Sequence, residues 1–130
     1  MRLGNFTGQN PDFLPEVWLV DLAASWRLSV TGAASTLISW NTRAGAWTYD
    51  AIRGHVESLS ELAGSIDVGP VLCLENDSPD TDTLGFEDTA APIPGRSFFY
   101  LARSFDGATS SDYGTSTSGK PEVPASGDCP

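Results

Sequence analysis

Five carboxylates crowd one short segment: Asp77, Asp80, Asp82, Glu87 and Asp88 lie within twelve residues. A hard cation such as calcium is held by several such oxygens on a turning loop. Asp80-x-Asp82 followed by Gly85 has part of that pattern, but the spacing of an EF-hand is missing. The competing reading is a solubilising acidic loop, and the residues alone leave both open. Cys73 and Cys129 are the second chemical feature. An even count, few lysines and a tail rich in Ser, Thr and Gly suit a secreted chain with one disulfide. Two unpaired thiols are the alternative. A bridge would close a loop of about 57 residues, worth roughly 4 kcal/mol by loop entropy.

Catalysis has little to draw on. His55 is the single histidine. With the cysteines bridged, neither a Cys–His pair nor a zinc site can be assembled. A Ser–His–Asp set would have to come from His55 and scattered serines, and no Gly-x-Ser-x-Gly elbow occurs. Glycoside hydrolysis needs two acids facing across a cleft, whereas these acids share one loop. Glycan binding is the remaining candidate. Trp18, Trp26, Trp47, Phe99, Phe105 and Tyr113 could offer flat rings to sugars, although rings in a small β domain are more often core.

The elements that must position these residues are short. The 130 residues allow one domain. Hydrophobic residues are 40% and charged residues 18%, enough apolar content for a core. Seven basic against seventeen acidic residues give a net charge of −10, which repels phosphate backbones and anionic membranes and argues against nucleic-acid binding. No apolar stretch approaches the roughly 20 residues of a transmembrane helix. Met1-Arg2-Leu3-Gly4 leads into polar sequence rather than a secretory signal. A processed secreted chain or one module of a longer chain is therefore expected.

Residues 1–15, with Pro11 and Pro15, read as an extended N-terminal arm. Val17-Trp18-Leu19-Val20 can form a strand, and residues 26–30 alternate as a half-buried strand does. Leu22-Ala23-Ala24 would allow a short helix over 20–27. Thr36–Trp40, Trp47–Arg53, Val71–Leu74 and the long run 97–105 are further strands. Val56, Leu59 and Leu62, spaced by three, predict one or two helical turns over 56–63. Thr83–Phe86 reads as a short strand inside the acidic segment, and 112–118 as a weak final one. Many short strands between turn signals predict an all-β antiparallel sandwich.

Several stretches resemble fibronectin type III domains. Ser35–Asn41 resembles their second strand, Tyr49–Gly54 their third, and Pro94–Arg103 the Pro-Gly-x-x-Tyr lead-in to the sixth. Likeness is greatest to a divergent group in large secreted bacterial proteins, through Tyr49–Gly54, Cys73-Leu74-Glu75-Asn76-Asp77, Pro94–Arg103 and the closing Cys129-Pro130. The resemblance covers residues 16–130 and implies an immunoglobulin-like β-sandwich with Trp40 and Tyr49 in the core. Phe98 stands where the family has a corner tyrosine, so that hydroxyl's backbone bond cannot form. The segment between Gly54 and Cys73 is also longer than usual.

In that frame Phe98, Tyr100 and Ala102 face inward, and Phe99, Leu101 and Arg103 outward. The outward pair Phe99 and Leu101 is covered by the N-terminal arm or by the tail held through Cys129. Left bare, it would join Trp47, Phe105 and Tyr113 as a binding surface. The resemblance implies a non-catalytic interaction or structural module of a secreted or cell-surface protein. Its partners would be neighbouring modules or proteins, with no membrane insertion and no cofactor unless calcium. Two alternatives accompany it: a carbohydrate-binding module for extracellular glycans, and a filament subunit that self-associates by strand addition through the arm.

Overall fold

The computed structural model describes residues 28–130. The expected arm at 1–15 and the strand and helix expectations over 16–27 lie outside them. Within the described residues, period-two apolar runs become antiparallel strands: β1 (Leu28–Thr31), β2 (Leu37–Trp40), β3 (Thr48–His55), β6 (Val71–Ser78) and β7 (Phe98–Phe105). Three two-residue strands complete the set: β4 (Ser60–Glu61), β5 (Ile66–Asp67) and β8 (Glu122–Val123). The chain is all-β.

β3 is the organising strand. It lies between β6 and β7 in a three-stranded sheet. Its register with β7 runs unbroken from Thr48↔Phe105 to His55↔Phe98. Its register with β6 shifts twice, between Ala51 and Ile52 and between Tyr49 and Ala51. Asp77, in the second irregularity, takes a positive φ of 53°. Its amide donates to Asp50 Oδ1 at 2.9 Å, so a buried side chain holds the bulge that the ladder alone would not.

Alternation sends β3 side chains to two faces. On one face Tyr49, Ala51 and Ala102 pack against Ile38 and Trp40 of β2, with Leu28, Val30, Leu74 and Tyr100 around them. The β1–β2 pair therefore covers this face. On the other face Ile52, Tyr113 and Cys129 form a second cluster joined by Val71, Cys73 and Leu101. The expected core residues Trp40 and Tyr49 are buried, and their rings lie 5.8 Å apart.

Three local expectations are corrected. Over 56–63 the helical turns are replaced by one 3-10 turn, Val56–Ser58, and by β4. Val56, Leu59 and Leu62 are exposed, so their spacing has no apolar surface to face. Thr83–Phe86 is a turn closed by the Phe86 amide on Thr83 O. Thr83 is buried at its base and bonds Ile38 twice, through its own amide and through Oγ1. Residues 112–118 form no named strand. They carry the chain onto the second face, and β8 instead adds to β5 in parallel.

Candidate functional site

The second face of the sheet gathers the chemistry. The C-terminal segment crosses it as a strap. Ile66 and Val68 donate to Pro121 O and Val123 O, Ala125 to Gly69 O, and Val71 to Ser126 O. Gly127 makes the last approach possible. Its φ is +79°, and a Cβ there would lie 1.9 Å from the Val71 carbonyl oxygen. Beyond it Cys129 is buried and bridged to Cys73, Cα to Cα 5.0 Å. Cys73 stands directly across from Ile52, so the bridge is laid over the fully buried centre of β3.

Beside the bridge a charged network ties strap to sheet. Asp50 and Arg103 are cross-strand partners, and Arg103 Nε donates to Asp50 Oδ2 at 2.7 Å. The same guanidinium donates to Asp128 Oδ2 at 2.9 Å and to the Cys129 carbonyl at 3.0 Å. It lies 4.8 Å above the Tyr113 ring, a favourable cation–π placement. The Tyr113 hydroxyl donates to Asp128 Oδ1. Burial works against the charged guanidinium, but the Asp50 hydrogen bond, the Tyr113 hydroxyl and the carboxylates hold its pKa above the ordinary value. Burial, then the bond to Asp128, pushes the Tyr113 phenol well up.

The opposite face has a matching lock. Arg53 Nη1 reaches both oxygens of Asp88, at 2.8 and 3.0 Å. Tyr100, the cross-strand partner of Arg53, donates its hydroxyl to Asp88 Oδ2 at 3.0 Å. Burial first, and the neighbouring Asp88 after it, raises the Tyr100 phenol to about 12. Arg53 also lies 4.3 Å over the Phe98 ring.

The acidic segment does not converge. Asp88 is buried and committed to Arg53. Asp82 Oδ1 accepts the Leu84 amide and Glu87 Oε2 the Gly85 amide, closing turns. The Asp80 amide donates to Ser78 Oγ. Asp77 accepts from Thr48 and Asn76. Among the described residues no three His, Cys, Asp or Glu side chains are grouped as a metal site requires.

The expected surface aromatics separate. Tyr113 is corrected to the core, at 2% exposure. Phe99 is half-buried with its ring flat on Gly54, where a Cβ would come within 2.2 Å. Leu101 packs into the second cluster, and Phe105 is half-buried. Trp18 and Trp26 lie outside the described residues; of the expected aromatics within them Trp47 is the widely exposed one, at 70%, lying across Gly107. Phe98 and Tyr100 are half-buried, and Tyr100 packs against the first cluster. His55 meets the Phe98 ring edge-on and lies 3.5 Å from Glu57. Glu57 in turn bonds Arg96.

Sequence reasoning missed the Asp50–Arg103–Asp128 and Arg53–Asp88 networks. One signal was present: Asp50 interrupts an apolar strand, and an acid in that position must find a partner once buried. Leu84, Phe86 and Ile93, exposed on the loops between β6 and β7, were also passed over. Comparison with protein-family profiles, curated proteins and solved structures returned no match.

Proposed function

We propose that the chain is a non-catalytic module of a secreted or cell-surface bacterial protein, a fibronectin type III-like β-sandwich serving as spacer, adhesive unit or stabilising domain. The observation that carries this reading is the Cys73–Cys129 bridge, which seals the C-terminal strap over the second sheet face. A crosslink in that position is compatible with an oxidising, extracellular setting. Among the described residues no helix is long and apolar enough to cross a membrane.

The sandwich reading draws on order. In such domains the third and sixth strands are neighbours, as β3 and β7 are, and β1–β2 packs against their sheet. The non-catalytic reading draws on the arginines. Arg53 and Arg103 are spent on cross-strand and strap contacts rather than facing a cleft. Contact with neighbouring modules would fall to the exposed loop residues Trp47, Leu84, Phe86 and Ile93. A glycan platform is less well supported, because Tyr113 and Phe99 are taken up by packing.

The test is limited proteolysis of the chain made in an oxidising compartment, with and without reductant, alongside a glycan array. The reading expects resistance that reduction abolishes and no saturable glycan binding. Equal resistance in the reduced state would remove the extracellular argument. Saturable glycan binding lost in Trp47→Ala would replace the module reading with carbohydrate recognition.

A further inference from the structure

The C-terminal strap has a covalent fastening and a non-covalent one beside it. Arg103 is fixed on the sheet independently of the strap: its Nε donates to Asp50 Oδ2 at 2.7 Å, across the β3–β7 pair. Tyr113 lies under that guanidinium and is buried. Together they offer guanidinium N–H groups and a phenol hydroxyl to one carboxylate. Asp128 fills the place. Its Oδ2 accepts from Arg103 at 2.9 Å, and its Oδ1 accepts from the Tyr113 hydroxyl. The same Oδ1 accepts the Cys129 amide at 2.8 Å, and the Cys129 carbonyl accepts from Arg103 at 3.0 Å. Both backbone groups of Cys129 are thus held by bonds in which no sulfur takes part.

Upstream, the strap is in register with the chain that enters β6. Val68 donates to Val123 O, Ala125 to Gly69 O, and Val71 to Ser126 O. Ser126 is therefore held beside Val71, two residues before Cys73. The approach to Cys129 is fixed by this pairing, and Cys129 itself by the carboxylate lock. A flexible tether brings two groups together at an effective concentration of order millimolar. Groups that are already oriented reach far higher values.

We propose that Asp128, gripped by Arg103 and Tyr113, is a positioning residue that seats Cys129 beside Cys73 while both are still thiols, so that bridging closes a strap already in place. In that step the two thiols give up two electrons and two protons to an external disulfide, which leaves as two thiols. In the reduced protein the seat is occupied part of the time, enough to gather the thiols and too little to keep a protease out. The bridge is then harder to reduce than its loop length alone would make it. The proposal rests on this network and not on the module reading above.

Equilibration of the full chain with reduced and oxidised glutathione, quenched by alkylation and read as intact mass, measures the effective concentration of the two thiols. Asp128 is exposed, so its side chain can be removed without opening the core. Asp128→Ala is expected to lower that concentration about tenfold or more, as loss of hydrogen bonds to a charged group implies. A tenfold change is about 30 mV for this two-electron couple. Tyr113→Phe keeps the ring and should lower it by less, in the same direction. Ile38→Val, in the first cluster on the other face, should leave it unchanged. A second measurement needs no redox buffer. In Cys73→Ser/Cys129→Ser the Val71 amide should still exchange about tenfold slower than a free amide, and adding Asp128→Ala should remove that protection. Equal effective concentrations in the unaltered chain and in Asp128→Ala would overturn the proposal, as would a freely exchanging Val71 amide in the double serine variant. An equal drop in Ile38→Val would overturn it too, because the bridge would then follow the global fold and not the seat.

Discussion

Arg103 touches Asp50, Asp128, the Cys129 carbonyl and the Tyr113 ring at once. Its cross-strand partner Asp50 has a side chain only 7% exposed. Removing one member of a buried pair leaves the other charge uncompensated. Arg103→Met is therefore expected to cost about 3–5 kcal/mol in urea unfolding. A cycle with Asp50→Asn should show coupling of about 0.5–3 kcal/mol, whereas additive effects would mean the pair is not formed. Glu122 makes a different prediction. Burial, and then nearby Asp112, raises its carboxyl above the ordinary range. The fold thus favours the protonated form. Its contribution is complete below the unfolded pKa of about 4.3 and is lost as pH rises through the higher folded value. Glu122→Gln should raise Tm at pH 7 by roughly 3 °C, with the gain closing near pH 4. A gain of equal size at both pH values would contradict this assignment.

At the scale of elements, β7 shows why an aromatic run needs no ligand. Each outward side chain meets something: Phe99 meets Gly54, Leu101 the second cluster, and Arg103 the strap. Gly54→Ala should cost about 1–3 kcal/mol by displacing the Phe99 ring, and the penalty should shrink in Phe99→Ala. An unchanged penalty in the double variant would mean that the ring does not lie on Gly54. These strands were legible in sequence because period-two alternation shows in Leu37–Trp40 and Phe98–Phe105 without knowledge of partners. The 56–63 segment was not legible. Its apolar spacing matched a helix, but a helix forms when that face has somewhere to pack, and Leu59 and Leu62 are exposed. Tyr113 was misplaced for the converse reason. A lone aromatic among Ser and Asp carries no periodicity, and its burial depends on a strap anchored sixteen residues later at Cys129. The Asp50–Arg103 pair spans 53 residues, a separation that local pattern cannot bridge.

For the whole molecule, a net charge of −10 favours solubility but works against compaction through self-repulsion. The fold answers by pairing Arg53 and Arg103 with buried acids, one on each sheet face, and by crosslinking the strap. Replacing both cysteines with serine should cost roughly 4 kcal/mol, with the largest loss of amide protection at Ile52 and Val71 rather than at Ile38. The most direct test of the account is disulfide mapping: non-reducing digestion and mass spectrometry of alkylated protein made in an oxidising compartment. The account predicts one linked pair of peptides carrying Cys73 and Cys129 and no alkylated thiol. Two alkylated cysteines in the folded protein would contradict it, leaving the strap without its anchor and the second face without its cover.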